Sequence, residues 1–156
     1  MKPASETQAP PEKLFSGLTR SELMSRIRGK GNKKTELRLI TIFRSHGVTG
    51  WRRGSQLPGK PDFVFPRTKV AVFVDGCFWH GCPRHGTSPR TNASFWLAKI
   101  VGNKTRDRRV NRQLRAERWQ VLRVWEHELT RKNEPRLLVR LRRALDRNYL
   151  PGASRP

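Results

Sequence analysis

Between residues 58 and 85 the chain reads PGKPDFVFPRTKVAVFVDGCFWHGCPRH, a stretch that holds both of its cysteines, two of its four histidines and two aspartates beside apolar runs. Cys77, Cys82 and His85 have four and two residues between them, within the range of tight zinc loops. A closed tetrahedral site needs a fourth ligand, and His127, at the end of a later apolar run, is the candidate. Such a Cys2His2 site is structural, with no position open to water, and would staple an otherwise shapeless loop. Spacing alone leaves His80 open as a ligand, and the bland reading is two buried thiols beside unrelated histidines.

Asp62 opens one apolar run and Asp75 closes the next. If the two runs form a hairpin, opposite ends of antiparallel neighbours lie side by side and the carboxylates converge on one edge. Such a pair suits Mg2+, which takes one or two carboxylates with phosphate oxygens and waters, and which polarises a scissile phosphate. Glu36 is a candidate third acid, and His80, held by a metal-fixed loop, suits a general base at neutral pH. Singly, Asp62 reads equally well as a turn residue after Pro61, and Asp75 as half of an Asp-Gly turn.

The elements that must position these groups follow from pattern. Residues 1–18 are rich in Pro, Ser, Glu and Lys and are expected to be a disordered tail. Thr19 and Glu22 have capping-box spacing before Leu23, Met24 and Ile27, so a helix is expected there. A second helix fits residues 33–45, with Gly47 as its C-terminal cap. Strands are expected over residues 48–53, 63–65, 70–74 and 120–125, with residues 66–69 as a hairpin turn. Thr91 or Asn92 can cap a long basic helix over residues 95–118. Asn133 can cap a last helix through residue 147, with Leu137, Leu138, Leu141 and Leu145 inward. Trp51, Trp119 and Trp125 read as core. The order α-α-β-β-β-α-β-α gives one α/β domain over residues 19–150, a small mixed sheet flanked by helices, with a tail over residues 151–156.

The chain's 156 residues suffice for one core. It carries 34 Lys+Arg against 12 Asp+Glu, a formal charge of +22, spread from Arg20 to Arg147. That points to a polyanion partner, because each neutralised phosphate releases condensed counterions. The chain has no long apolar run, signal pattern or lipidation motif, which sets a membrane aside. Two cysteines five residues apart make no secreted disulfide framework and fit metal binding in a reducing cytoplasm.

These residues resemble the very-short-patch-repair (Vsr) mismatch endonuclease family over roughly residues 19–129. The resemblance is carried by S-E-L-M-S-R-I, T-E-L-R-L, L-P-G-K-P-D-F-V and V-F-V-D-G-C-F-W-H-G-C-P-x-H, then by F-W-L-A-K-I-x-x-N, R-D-x-R and W-x-V-L-R-V-W-E-H. It implies a variant of the PD-(D/E)xK restriction-endonuclease fold. It also implies an enzyme that uses Mg2+ to nick one strand 5′ to the thymine of a T:G mismatch, leaving a 5′-phosphate. On that resemblance Asp62 is the main Mg2+ carboxylate, the Val74 carbonyl a second ligand, His80 the base that activates water, and Glu36 an outer acid. The family's structural zinc maps onto Cys77, Cys82, His85 and His127. Its aromatic wedges map onto Phe78, Trp79 and Trp96, its DNA approach onto Lys99 and Asn103, and an acid behind the site onto Asp107. A wedge is physically sensible, since unstacking costs least at a mispair.

Two departures stand out. No lysine follows Asp62 in the (D/E)xK manner, which suits the variant in which a histidine takes its place, and Arg84 sits where another member carries a ligand. Two further readings compete with a mismatch-nicking enzyme. One is a catalytically silent protein that binds distorted DNA, which has no use for Asp62 and His80. The other is a nuclease of the same fold that reads modified cytosine or serves restriction. The duplex asymmetry of a mismatch makes a monomer the expected state.

Overall fold

A computed structural model describes residues 13–14, 18–19, 33–86 and 92–147. The chain divides into two units, residues 1–32 and 33–156. In the first, strands β1 (Lys13–Leu14) and β2 (Leu18–Thr19) pair antiparallel, with Leu14 opposite Leu18. These pairs lie at the edge of the expected tail, and Thr19, where a helix cap was expected, ends a strand. Residues 20–27, where the first helix was expected, lie outside the described residues.

The second unit is a three-stranded sheet between helices. Helix α1 spans Lys33–Ser45. Its end has the expected glycine: Gly47 at φ 63° sends its N–H to Arg44 O while Val48 N–H reaches Phe43 O, the two bonds of a Schellman cap. Strand β3 (Phe63–Phe65) pairs antiparallel with β4 (Val70–Asp75), with Phe63 opposite Val72. Strand β5 (Gln120–Trp125) then runs parallel to β4, with Val70 opposite Gln120 and Asp75 opposite Trp125. A parallel neighbour requires a crossover, which helix α2 (Ala93–Ala116) supplies. A short 3-10 turn (Glu126–Leu129) and helix α3 (Glu134–Arg147) complete the unit.

The expected strand over residues 48–53 is reduced to one antiparallel bridge between Arg52 and Val64. Gly50 and Gly54 take positive φ and break the ladder on either side. Asn92 was expected as a side-chain cap for α2, yet it sits in the left-handed region at φ 52° and makes no side-chain cap bond. Thr91, the other candidate cap, lies outside the described residues.

Strand alternation divides the core into two layers. Phe63, Phe65, Val70, Val72, Leu122 and Val124 pack with Leu39, Ile42 and Phe43 of α1 and with Leu137, Leu138 and Leu141 of α3. Val64, Ala71 and Phe73, on the opposite face, pack with Val110 and Leu114 of α2. Each large side chain withdrawn from water here contributes roughly 1.5–3 kcal/mol. Trp51 and Trp119 are partly buried against these layers, close to expectation. Trp125 instead lines a surface cleft beside Cys82, with Arg84, Arg136 and Arg140.

Candidate active site and metal cluster

The inner stripe of α2 is apolar only at its ends. Between Trp96 and Val110, both buried, the same face carries Asn103 and Asp107, both partly buried. At about 1.5 Å per residue, 24 residues make a rod of roughly 36 Å, long enough to overrun the sheet and cover the loop that leaves β4. That loop is pinned to it. Asn103 Nδ2 donates to Trp79 O at 2.9 Å. Gly81, at φ 59°, lies so close that an added Cβ would stand 2.6 Å from Lys104 Cε and 2.9 Å from Ile100 Cγ2.

Asp62 and Asp75 come within electrostatic reach of each other at the strand ends. Asp62 Oδ2 accepts the Val74 N–H at 2.7 Å. Burial lifts the Asp62 carboxyl from the ordinary 3.8 to about 6, against the lowering pull of the Val74 N–H and with further push from the Glu36 and Asp75 carboxylates. An acid held reluctant to ionise by burial and by two neighbouring acids is a place where a divalent cation is welcome. Glu36 is only 8% exposed and is ion-paired with Arg53.

Asp75 is 3% exposed, and both of its oxygens take hydrogen bonds of 2.8 Å from Arg123 Nη1. His80 Nδ1 lies 2.6 Å from Asp107 Oδ2 and 3.7 Å from Asp75 Oδ1. Burial would raise the Asp107 carboxyl, but the His80 hydrogen bond and the Arg123 charge hold it below its usual value, so it is ionised. An ionised carboxylate only accepts, so His80 donates from Nδ1, and Nε2 is the ring nitrogen not engaged by Asp107. The sequence reading missed Arg123, one arginine among many in a basic chain. Its signal was position: a cation on an apolar β-strand, at the alternation that faces Asp75 of β4 and Asp107 of α2.

Cys77, Cys82, His85 and His127 form one group whose candidate ligand atoms all lie within 4.8 Å of one another. Cys77 Sγ is 3.2 Å and Cys82 Sγ 3.7 Å from His127 Nδ1, and Cys82 Sγ is 4.0 Å from His85 Nδ1. A tetrahedral zinc with bonds of about 2.3 Å to sulfur and about 2.0 Å to nitrogen separates such ligands by roughly 3.5 Å, so the donors fit that ion. The His127 carbonyl takes bonds from Asn133 Nδ2 and Thr130 Oγ1, which fixes the fourth donor at the end of β5.

The aromatic expectation is only partly met. Phe78, Trp79 and Trp96 pack edge to face with centroids 5.2–5.7 Å apart. Trp96 is 8% exposed, so it is a packing residue here, and its neighbour Phe95 is the exposed one at 58%. The reason is helical phase: Trp96 shares the inward stripe with Asn103 and Val110. Asn103, expected to approach DNA, is engaged with the Trp79 carbonyl. Lys99 is exposed, as are Arg106, Arg108, Arg109, Arg112 and Arg115 along the same helix.

Among known proteins, the family described as DNA mismatch endonuclease Vsr matches residues 13–85. The type II nicking enzyme V.NaeI of Lentzea aerocolonigenes is 56% identical over 77 residues, 49% of this chain and 46% of that protein, so the match spans less than half the relative's length. The type II nicking enzyme V.XorIIP of Xanthomonas oryzae pv. oryzae is 40% identical over 129 residues, covering 81% of this chain and 92% of the relative. The DNA mismatch endonuclease Vsr of Escherichia coli is 38% identical over 110 residues, 69% of each chain.

Proposed function

The chain belongs to the Vsr family of DNA endonucleases, and we propose that it acts as a monomer, nicking one strand of duplex DNA 5′ to the thymine of a T:G mismatch with Mg2+ as cofactor. The observation that carries this reading is the dyad, at 2.6 Å, of Asp107 on α2 with His80, which sits on the loop leaving the strand end where Asp62 is held. A protein that only bound DNA would have no use for an oriented imidazole beside a buried acid.

Asp62 and the Val74 carbonyl are the groups that would hold Mg2+, with Glu36 behind them. The ion supplies positive charge to the scissile phosphate and to the leaving oxygen. His80 Nε2 takes the proton from the attacking water, and Asp107, accepting from Nδ1, stabilises the imidazolium that results. Asp75, with both oxygens given to Arg123, acts as an internal counter-charge and not as a metal ligand. Cys77, Cys82, His85 and His127 hold a structural zinc that fixes the loop bearing His80. Phe78 and Trp79 form the aromatic surface offered to the mismatch, with Phe95 as its exposed edge. Lys99 and the outer arginines of α2 neutralise backbone phosphates.

Asp62→Ala tests the assignment. The variant is expected to lose nicking and to keep its affinity for a mismatched duplex. Retained nicking would remove Asp62 from the site.

A further inference from the structure

Arg123 satisfies four acceptors at once. Nη1 reaches both oxygens of Asp75 at 2.8 Å, Nη2 reaches Asp107 Oδ1 at 3.1 Å, and Nε reaches Asn111 Oδ1 at 3.2 Å. Its guanidinium lies 4.7 Å from the Phe73 ring centroid, so the plane is held from below as well. The side chain is 18% exposed.

Two carboxylates compete for His80. Asp107 Oδ2 is 2.6 Å from Nδ1 and Asp75 Oδ1 is 3.7 Å from it. A buried anion with no partner would draw the imidazole toward itself. We infer that Arg123 is a positioning residue that decides this competition: by occupying both oxygens of Asp75 and gripping the second oxygen of Asp107, it commits His80 Nδ1–H to Asp107 and fixes where Nε2 points.

The geometry explains why an arginine is needed. A lysine ammonium carries the charge but cannot span Asp75, Asp107 and Asn111 together, since those acceptors are matched to a planar fork. The inference rests on the assignment of His80 as the base. It adds that the aim of this base is set from β5, the strand beyond the one whose loop carries His80.

The test is single-turnover nicking of a T:G duplex by Arg123→Lys and Arg123→Gln at saturating enzyme. Folded fraction and zinc content are measured on the same samples. Removal of a group that orients a reacting residue is expected to cost about 10- to 100-fold in rate, with DNA affinity unchanged. Adding Asp75→Asn to Arg123→Gln is expected to restore part of that rate, because the competing anion is gone. A hydrogen-bonded Nδ1–H resonance of His80 is expected in the proton NMR spectrum of the parent protein and is expected to vanish in Arg123→Gln. If Arg123→Gln does not fold, the lysine variant, which keeps the positive charge, carries the rate test. A folded variant with the parent's rate and an unchanged His80 signal overturns the inference. Absence of nicking by the parent protein would instead overturn the assignment of the activity.

Discussion

Burial makes the Asp62 carboxylate costly to form, and this has a measurable consequence. Its folded carboxyl titrates near 6 against an ordinary 3.8, chiefly because it is buried. Below 3.8 both folded and unfolded chains carry the proton and the shift has no effect. Between 3.8 and 6 the unfolded chain ionises first, so stability falls as pH rises, and above 6 the full penalty is present. With Asp62 partly exposed, that penalty is about 1–3 kcal/mol. Asp62→Asn, which can still accept the Val74 N–H, is therefore expected to raise the melting temperature in metal-free buffer at pH 8 and to change it little at pH 3.5. Thermal denaturation at the two values checks this. An equal effect at both would mean the acid is not strained by burial. The residue types of this site were legible in sequence, because Asp62, His80 and the Cys/His group sit in one short run of unusual composition. Arg123 was not, because its role depends on which face of β5 it occupies and on Asp75 of β4 and Asp107 of α2 standing opposite.

Among the elements, the loop before β3 is held by close contact. Gly59 has φ 74°, and a Cβ there would lie 2.5 Å from Val110 Cγ1 on α2. Gly59→Ala must therefore both strain the backbone and push the helix off the loop that carries Pro61 and Asp62. It is expected to destabilise the protein by roughly 1–3 kcal/mol, read as a lower denaturant midpoint, and to slow nicking. A neutral outcome would separate this loop from α2. The helices over residues 33–45 and 134–147 and the three strands of the main sheet were legible from period and punctuation. The strand over residues 48–53 was not, because its β-type residues are interrupted by glycines whose positive φ the sequence does not reveal. The phase of α2 was also hidden. Its inner face holds Asn103 and Asp107, so no continuous apolar stripe announces it, and the sequence leaves open which of Phe95 and Trp96 packs inward.

The metal loop links element to element: Cys77, Cys82 and His85 leave β4, while His127 follows β5. Cys77→Ser is expected to lower zinc content and folding stability together. Zinc that stays stoichiometric in that variant would remove Cys77 from the ligand set. Spacing revealed three of these residues, and only the parallel pairing of β4 with β5 brings the fourth to them.

Across the whole molecule the dominant property is charge, +22 over 156 residues, with exposed arginines along α2 and α3. DNA affinity is therefore expected to fall linearly on a log–log plot against salt, by about 0.9 in slope for each phosphate neutralised. A flat response would deny that backbone contacts hold the duplex. Among the described residues no helix is long and apolar enough to cross a membrane. Charge is legible in any sequence, but the pairing of a mismatch with an enzyme's aromatic surface is decided by exposure, as the exchange between Trp96 and Phe95 illustrates.

The most direct test is strand-resolved cleavage, with Mg2+ present, of three duplexes that differ at one base pair: a T:G mismatch, its matched counterpart and a methylcytosine duplex. A single nick, on the thymine-bearing strand of the mismatch and 5′ to that thymine, is the predicted result. Cleavage of the matched or methylated duplex with the mismatch spared would contradict the repair reading and assign the same residues to restriction.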